Sequence, residues 1–285
     1  MALFVMARLT FLEAIRRRIL LAALVLGIAF LCLYGVGFYV MRDMRNGALL
    51  QTNGPDAALI GTAFNSFLSL AGLYGVNFLA IAMAALLSAD TLAGEIGSGT
   101  IQAIVTKPIR RAEIVLGKWL GFAGLLALYL ALMAGGVMAI AYAGAGYVVP
   151  NPLAGVVLIY LETLLVMTVT LAFSSMLPTL ATGGVIFGLY GVAFIGGWVE
   201  QFGALVRNQA AVDVGIISSL LIPSEALWRR AAFEMTPAVA QAFGVVVSGP
   251  FISISIPSPL MVEYGLLYLV VALLIAVRQF SRRDL

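Results

Sequence analysis

The chain has 285 residues, of which 62% are hydrophobic and only 10% charged, with a net charge of +3. Soluble domains carry about 45–50% apolar and about 25% charged residues, so a soluble globule is excluded, as is a disordered chain, which needs polarity and charge. Histidine is absent and Cys32 is the single cysteine, which removes imidazole- and multi-thiolate metal or haem chemistry, histidine triads and intrachain disulfides. An integral membrane protein remains.

The first 18 residues predict a short amphipathic helix. Leu3, Phe4, Ala7, Phe11, Ala14 and Ile15 fall near one face, while Arg8, Arg16, Arg17 and Arg18 reach phospholipid headgroups. This reads as an elbow helix on the inner leaflet, anchored by Arg16, Arg17 and Arg18. The plainer reading is a polar leader ending in a stop-charge cluster. A cleavable signal is not expected, since the apolar region that follows is too long and no small-residue cleavage site closes it.

A membrane-spanning helix needs about 20 apolar residues. The runs Ile19 to Val40, Phe64 to Ser88, Trp119 to Ala143, Leu153 to Leu177, Thr182 to Val199 and Leu260 to Val277 qualify. None contains Lys or Arg, and only Glu162 and Glu263 are acidic. The runs are continuous and lack the alternation of a barrel. The predicted fold class is all-α: one polytopic membrane domain over 1–285, with six transmembrane helices, the elbow helix (1–18) and an inner segment (89–118).

With the N-terminus inside, the inner segments hold Arg8, Arg16, Arg17, Arg18, Lys107, Arg110, Arg111, Lys118, Arg278, Arg282 and Arg283. The outer segments hold Arg42, Arg45, Arg207, Arg229 and Arg230. That bias places both termini in the cytoplasm, in a multi-pass protein of the cell membrane. It also accounts for the basic residues better than nucleic-acid binding does, so no nucleic-acid partner is expected. The lipid bilayer is the expected partner of these residues.

Met41 to Ala63 forms an outer loop with the turn run NGPD. Residues 200–259 form a large extracytoplasmic segment. There Pro223-Ser224-Glu225 starts a helix with Ser224 as N-cap, and Ala226, Leu227, Ala231 and Phe233 lie on the outer membrane surface. FISISIP has extended character. The segment gates an outer exit, docks an extracytoplasmic partner, or is a passive loop, and its 60-residue length argues against the last.

The inner segment reads SADTLAGEIGSGTIQAIVTKPIRRAEIVLGKW. Thr100 to Thr106 forms a short amphipathic turn with Ile101, Ile104 and Val105 apolar. Pro108 disfavours the helical conformation at Lys107 and forces a turn. Arg110, Arg111 and Lys118 then sit at headgroup level. The expected result is a short helix along the membrane, held by both neighbouring spans and needing a partner surface, since it is too short to be stable alone. Glu95 stands out, because a carboxylate gains nothing from anionic lipid.

The order GE-x-x-x-GT, TKPIRR, LGKW resembles the hallmark of ABC exporter permeases of the type 2 class, as does the tail QFSRRDL. It stands here as Gly94, Glu95, Gly99, Thr100, Thr106, Lys107, Pro108, Ile109, Arg110, Arg111, Leu116, Gly117, Lys118 and Trp119. Within the class, the chain length and LIPSEALWR look most like the permeases that serve maturation of nitrous oxide reductase. The resemblance implies an ATP-driven transporter of two permeases, as a homo- or heterodimer, and two ATPase subunits. It makes the inner segment the coupling helix, with Asp90, Glu95, Gly99, Thr100, Ile101, Ile104, Lys107, Pro108, Arg110 and Arg111 toward the ATPase.

The chain itself is expected to be neither an enzyme nor a binder of cofactor or metal; ATP and Mg belong to the partner ATPase. A phosphate-binding loop needs G-x-x-x-x-G-K-[ST], and the only Gly-Lys pair, Gly117-Lys118, is followed by Trp119.

Glu162 is the one acidic residue well inside a span, where a carboxylate costs about 2.5–3.5 kcal/mol on insertion scales. It lines a substrate path or responds to protons, or else it is a polar lock bonded to Thr163 or a neighbouring Tyr, or lies near the outer headgroups. Asn77 carries the same choice between the path and an interhelical hydrogen bond. Gly184, Gly188 and Gly191 suit a dimer seam or packing within one subunit. Two rivals to solute export stand beside it: an ABC-type mechanical transmitter acting on an extracytoplasmic partner, and an ATP-independent secondary transporter. The substrate is not legible.

Overall fold

The computed structural model describes residues 2–16, 18–49, 55–97, 110–243 and 255–282. Among them every regular element is helical: α1 (Ala2–Arg16), α2 (Arg18–Leu49), α3 (Pro55–Gly97), α4 (Arg111–Ala145), α5 (Pro152–Ser174), α6 (Thr179–Leu205), α7 (Gln209–Leu221), α8 (Ser224–Glu234), α9 (Ala238–Phe243) and α10 (Leu260–Arg282). Six are long and apolar enough to cross a membrane: α2, α3, α4, α5, α6 and α10. The sequence predicts the same six, with shorter bounds at α2, α3, α4, α6 and α10 and a later end at α5.

Local signals set the ends. The Arg110 N–H donates to Glu113 Oε2 at 3.2 Å, which gives that carboxylate a capping role at the start of α4. Gly146, at φ 62°, ends α4 in the left-handed conformation that glycine adopts without strain. Pro152 opens α5, where a missing N–H costs nothing.

α5 sits at the centre, packed against α3, α8 and α10 and touching α4 and α6. In its most apolar stretch 67% of residues are buried, against 11% for α2. α2 lies along α3 and α4, and the seats are glycines. The ring of Tyr34 covers Gly72 and that of Phe30 covers Gly75 on α3, while Leu31 meets Gly136 and Phe38 meets Gly144 on α4. Between helices in lipid, close backbone approach replaces the hydrophobic drive that water supplies. Near the C-terminal end of α2, Arg45 Nη1 donates to Gly61 O and to Asn65 Oδ1 on α3, both at 3.1 Å.

α1 packs along the beginning of α4 in the same chain direction. Met6 faces Gly117, Thr10 faces Gly121 and Phe11 faces Gly124. A side chain at Gly121 would meet the Ala7 carbonyl at 2.7 Å, so only glycine permits this seam. The buried face is Met6, Thr10 and Ala14, whereas Phe4 and Ile15 of the expected apolar face are exposed. Lys118, between the two seam glycines, is 2% exposed.

The segment after α6 is more structured than a surface loop. α6 continues through Glu200 to Leu205, and α7 packs back along it. Gly203 and Gly215 permit the approach: a Cβ at either would strike the other helix. The chain then bends by 106° into α8. The N-cap of α8 is Pro223, and Ser224 is its first helical residue, making no cap hydrogen bond. Ala226, Leu227 and Ala231 are buried against the bundle rather than laid on a membrane surface. α8 is short and of mixed composition, and it is held by α5, not by lipid. Of FISISIP only 255–257 are among the described residues.

Candidate functional site

Two places hold the residues picked out from the sequence. In the first, at its C-terminal end, α3 runs helically through Glu95 to Gly97. The Glu95 side chain, Gly99, Thr100, Ile101, Ile104, Lys107 and Pro108, as well as Arg17 of the N-terminal cluster, lie outside the described residues. Asp90 Oδ1 accepts a hydrogen bond from Thr179 Oγ1 at 3.0 Å, which ties α3 to the first turn of α6. Arg110 is exposed. Arg111 Nη1 donates to Ser281 O at 3.2 Å, a cation at the carbonyl end of α10, where the helix dipole favours it. Ser175 Oγ donates to Gln279 Oε1 at 3.2 Å, joining the end of α5 to α10. Arg16 and Arg18 are exposed at the α1–α2 junction. The C-terminal end of α3 is thus fastened to the start of α6, the start of α4 and the end of α5 are fastened to the end of α10, and α1 is fastened to the first turns of α4.

The second place is the centre of the bundle. Glu162 stands near the midpoint of α5 with 0% exposure, and Asn77, on α3, also has 0%. Asn77 stands within side-chain hydrogen-bonding reach of Glu162, and neither side chain has any other partner. Thr163 does not serve as that partner, because its hydroxyl donates to Ile159 O at 2.8 Å in its own helix. The lock with Thr163 is therefore not what the structure shows, whereas Asn77 on α3 beside Glu162 on α5 suits the interhelical hydrogen bond. Glu162 lies ten residues beyond Pro152, the first residue of the helix.

Glu225 lies beside this pair, and no local pattern in the sequence selects it. It sits in the first turn of α8, is 5% exposed and packs on Gly197 of α6. Tyr74 on α3 and Tyr190 on α6 face both carboxylates. The Tyr74 ring packs on Trp228 with centroids 4.9 Å apart, which fixes α8 against α3. Trp119, at the end of the LGKW run, donates from Nε1 to Thr168 Oγ1 at 2.8 Å and links α4 to α5.

A buried ion pair holds the hairpin that follows α6. Arg229 Nη2 donates to Glu200 Oε2 at 2.7 Å, with the side chains 3% and 5% exposed. Ser255 Oγ donates to Glu200 Oε1 at 2.6 Å, and Arg229 Nη1 donates to Ser255 O at 3.4 Å. One pair thereby joins α6, α8 and the approach to α10. Nothing local in the sequence marks it, because the partners are 29 residues apart. A Cβ placed on Gly183, Gly184, Gly188 or Gly191 would meet no neighbouring element within 4 Å, so this face of α6 is open and is not used for packing within the described residues.

The family model described as ABC-2 family transporter protein matches residues 4–285. Comparison with curated proteins gives no match.

Proposed function

The chain belongs to the ABC-2 family of transporter proteins, and on that premise we propose that it drives export by alternating access, powered by ATP in a separate subunit. It is a multi-pass membrane protein and the permease subunit of an ABC transporter. On our reading two ATPase subunits bind ATP and Mg, two permeases form the pathway, and both termini face the cytoplasm. The observation that carries the reading is the seam of α1 and α4. The stretch 98–109 leads directly into α4, and Gly117 and Gly121 fasten α1 to the same turns. A push on that stretch therefore moves α4 and α1 as one body. Arg110, Arg111 and Asp90 border it, and Glu95, Gly99, Thr100, Ile101, Ile104, Lys107 and Pro108 supply the docking surface.

Glu162 and Asn77 are sealed here, so their lining of a path belongs to a state in which α3 and α5 part. The open glycine face of α6 is where a second permease copy fits, because small residues let helices meet closely. The buried Glu200–Arg229 pair favours one further reading, transmission of force to an extracytoplasmic partner, since it makes the outer hairpin stiff.

The test is co-expression with the cognate ATPase, copurification, and ATP-driven transport in proteoliposomes. E95K and I104D should leave the spans inserted and reduce ATPase capture or transport at least tenfold. Normal capture and normal transport in both variants would remove the coupling role from residues 89–118.

A further inference from the structure

α5 and α10 do not close on one another along their later turns. A cavity of about 260 Å³ lies between them. Val169, Ala172 and Ala272 line it and are buried, forming its floor. Met176, Val271 and Ile275 line it at 54%, 46% and 43% exposure, forming an open rim. The floor is hollow because two of its three residues are alanines, too short to bridge the helices. At one end the lining turns polar: Gln279 belongs to it, and its Oε1 accepts a hydrogen bond from Ser175 Oγ.

The register of α10 then carries this lining into charge. Seven residues are close to two helical turns. Val271 therefore leads along its own stripe to Arg278, and Ile275 leads to Arg282. Both arginines are exposed, and among the described residues neither meets a carboxylate. Arg111, on Ser281 O, is a further cation at this end. A slot that is apolar along its length and cationic at its end has the polarity of one lipid, a hydrocarbon chain with a negative headgroup. Guanidinium matches phosphate oxygens in a bidentate geometry, and basic residues beside spans attract anionic headgroups. A zwitterionic headgroup would bring its own cation to the two arginines. A partner helix is about 10 Å across and would rest on the rim, leaving the floor empty.

We propose that the groove between α5 and α10 holds one acyl chain of an anionic phospholipid, with the phosphate at Arg278 and Arg282. The chain would supply the contact that Ala172 and Ala272 do not make. It would tie the central helix to α10 beside the Arg111–Ser281 contact, where α4 begins. The lipid is a resident part of the fold rather than cargo: among the described residues the lining comes from α5 and α10 alone and does not reach the polar centre at Asn77 and Glu162.

Lipid titration of the full chain tests this. The protein is delipidated in mild detergent and titrated with phosphatidylglycerol, with phosphatidylcholine of the same acyl chains, or with soluble glycerol phosphate. Bound lipid is read by native mass spectrometry and stability by thermal unfolding. Phosphatidylglycerol should bind and raise Tm by about 5 °C at a hundredfold excess over its Kd. Phosphatidylcholine should bind far more weakly, and glycerol phosphate should shift nothing. R278Q/R282Q should keep its Tm in detergent alone and lose about thirtyfold in affinity for phosphatidylglycerol, at about 1 kcal/mol per arginine. A272L keeps both arginines and fills the floor. It should keep a Tm in detergent at or above that of the parent chain and lose the response to phosphatidylglycerol. The proposal is overturned if the two lipids act equally, if glycerol phosphate reproduces the shift, or if A272L responds like the parent chain. It is also overturned if phosphatidylglycerol has no effect and A272L dissociates dimers, which would give the groove to a second copy. Neither readout involves the ATPase or transport, so the outcome is independent of the export reading.

Discussion

α5 and α2 are both strongly apolar, and α2 is the more apolar of the two, but α5 is the centre of the bundle and α2 its rim. Hydropathy alone ranks them the wrong way round. What separates them is the polar content: α5 buries Glu162, Thr163, Thr168, Thr170 and Ser174, whereas the middle of α2 exposes Leu26, Ile28, Leu33 and Val36. In water an apolar surface marks the inside. In lipid it marks nothing, and the side chains that need protein partners show where the inside is.

Breaking the outer pair beside α5 should have the largest effect. R229M leaves Glu200 buried and uncompensated, and should cost about 3–5 kcal/mol in detergent unfolding. The double variant E200Q/R229M should recover much of the loss. If R229M alone is silent, the hairpin is not held by charge. Truncation distinguishes the centre from the rim next. L165A, at 0% exposure on α5, should cost about 2–5 kcal/mol. L33A, at 74% exposure on α2, should cost at most about 0.5 kcal/mol. Equal losses would erase the distinction. The smallest effect tests how α2 is attached. G75A drives a methyl into the Phe30 ring, whose nearest atom is 2.5 Å from the new carbon, and should cost about 1–3 kcal/mol. G37A, with nothing within 4 Å, should cost nothing by this route.

Much of the fold is legible in the sequence because spanning helices announce themselves by length and apolarity, and all six stand where those signals put them. Their overhangs do not announce themselves. α3 extends well beyond Phe64 to Ser88 at both ends, into mixed sequence that carries no hydropathy signal. The outer hairpin is hard to place for a related reason: Ala226, Leu227 and Ala231 suit lipid and protein equally, and only contact with α5 decides. Glu162 and Asn77 are visible because a polar group inside an apolar run is conspicuous. Glu225 and Glu200 are not, because each lies outside the predicted apolar runs, and their meaning comes from neighbours distant in the chain. The glycines of LGKW and the following turn read as part of a motif. Their physical role, seating α1, depends on the positions of Ala7 and Thr10.

The length of α3 has a mechanical consequence. An unbroken helix of 43 residues is about 65 Å long, roughly twice the hydrocarbon thickness of a bilayer. Such a rod, pivoting at the bilayer midplane, sweeps its tip by about 5 Å for a tilt of about 10°. The middle of α3 carries Tyr74 and Asn77, so a pivot at the helix centre falls at the polar centre, and its C-terminal tip leads into residues 98–109. Displacements of side-chain size at that tip become rotations of only a few degrees at the fulcrum. A gear ratio of this kind lets a small stroke outside the membrane open or close contacts deep within it without unwinding a single turn.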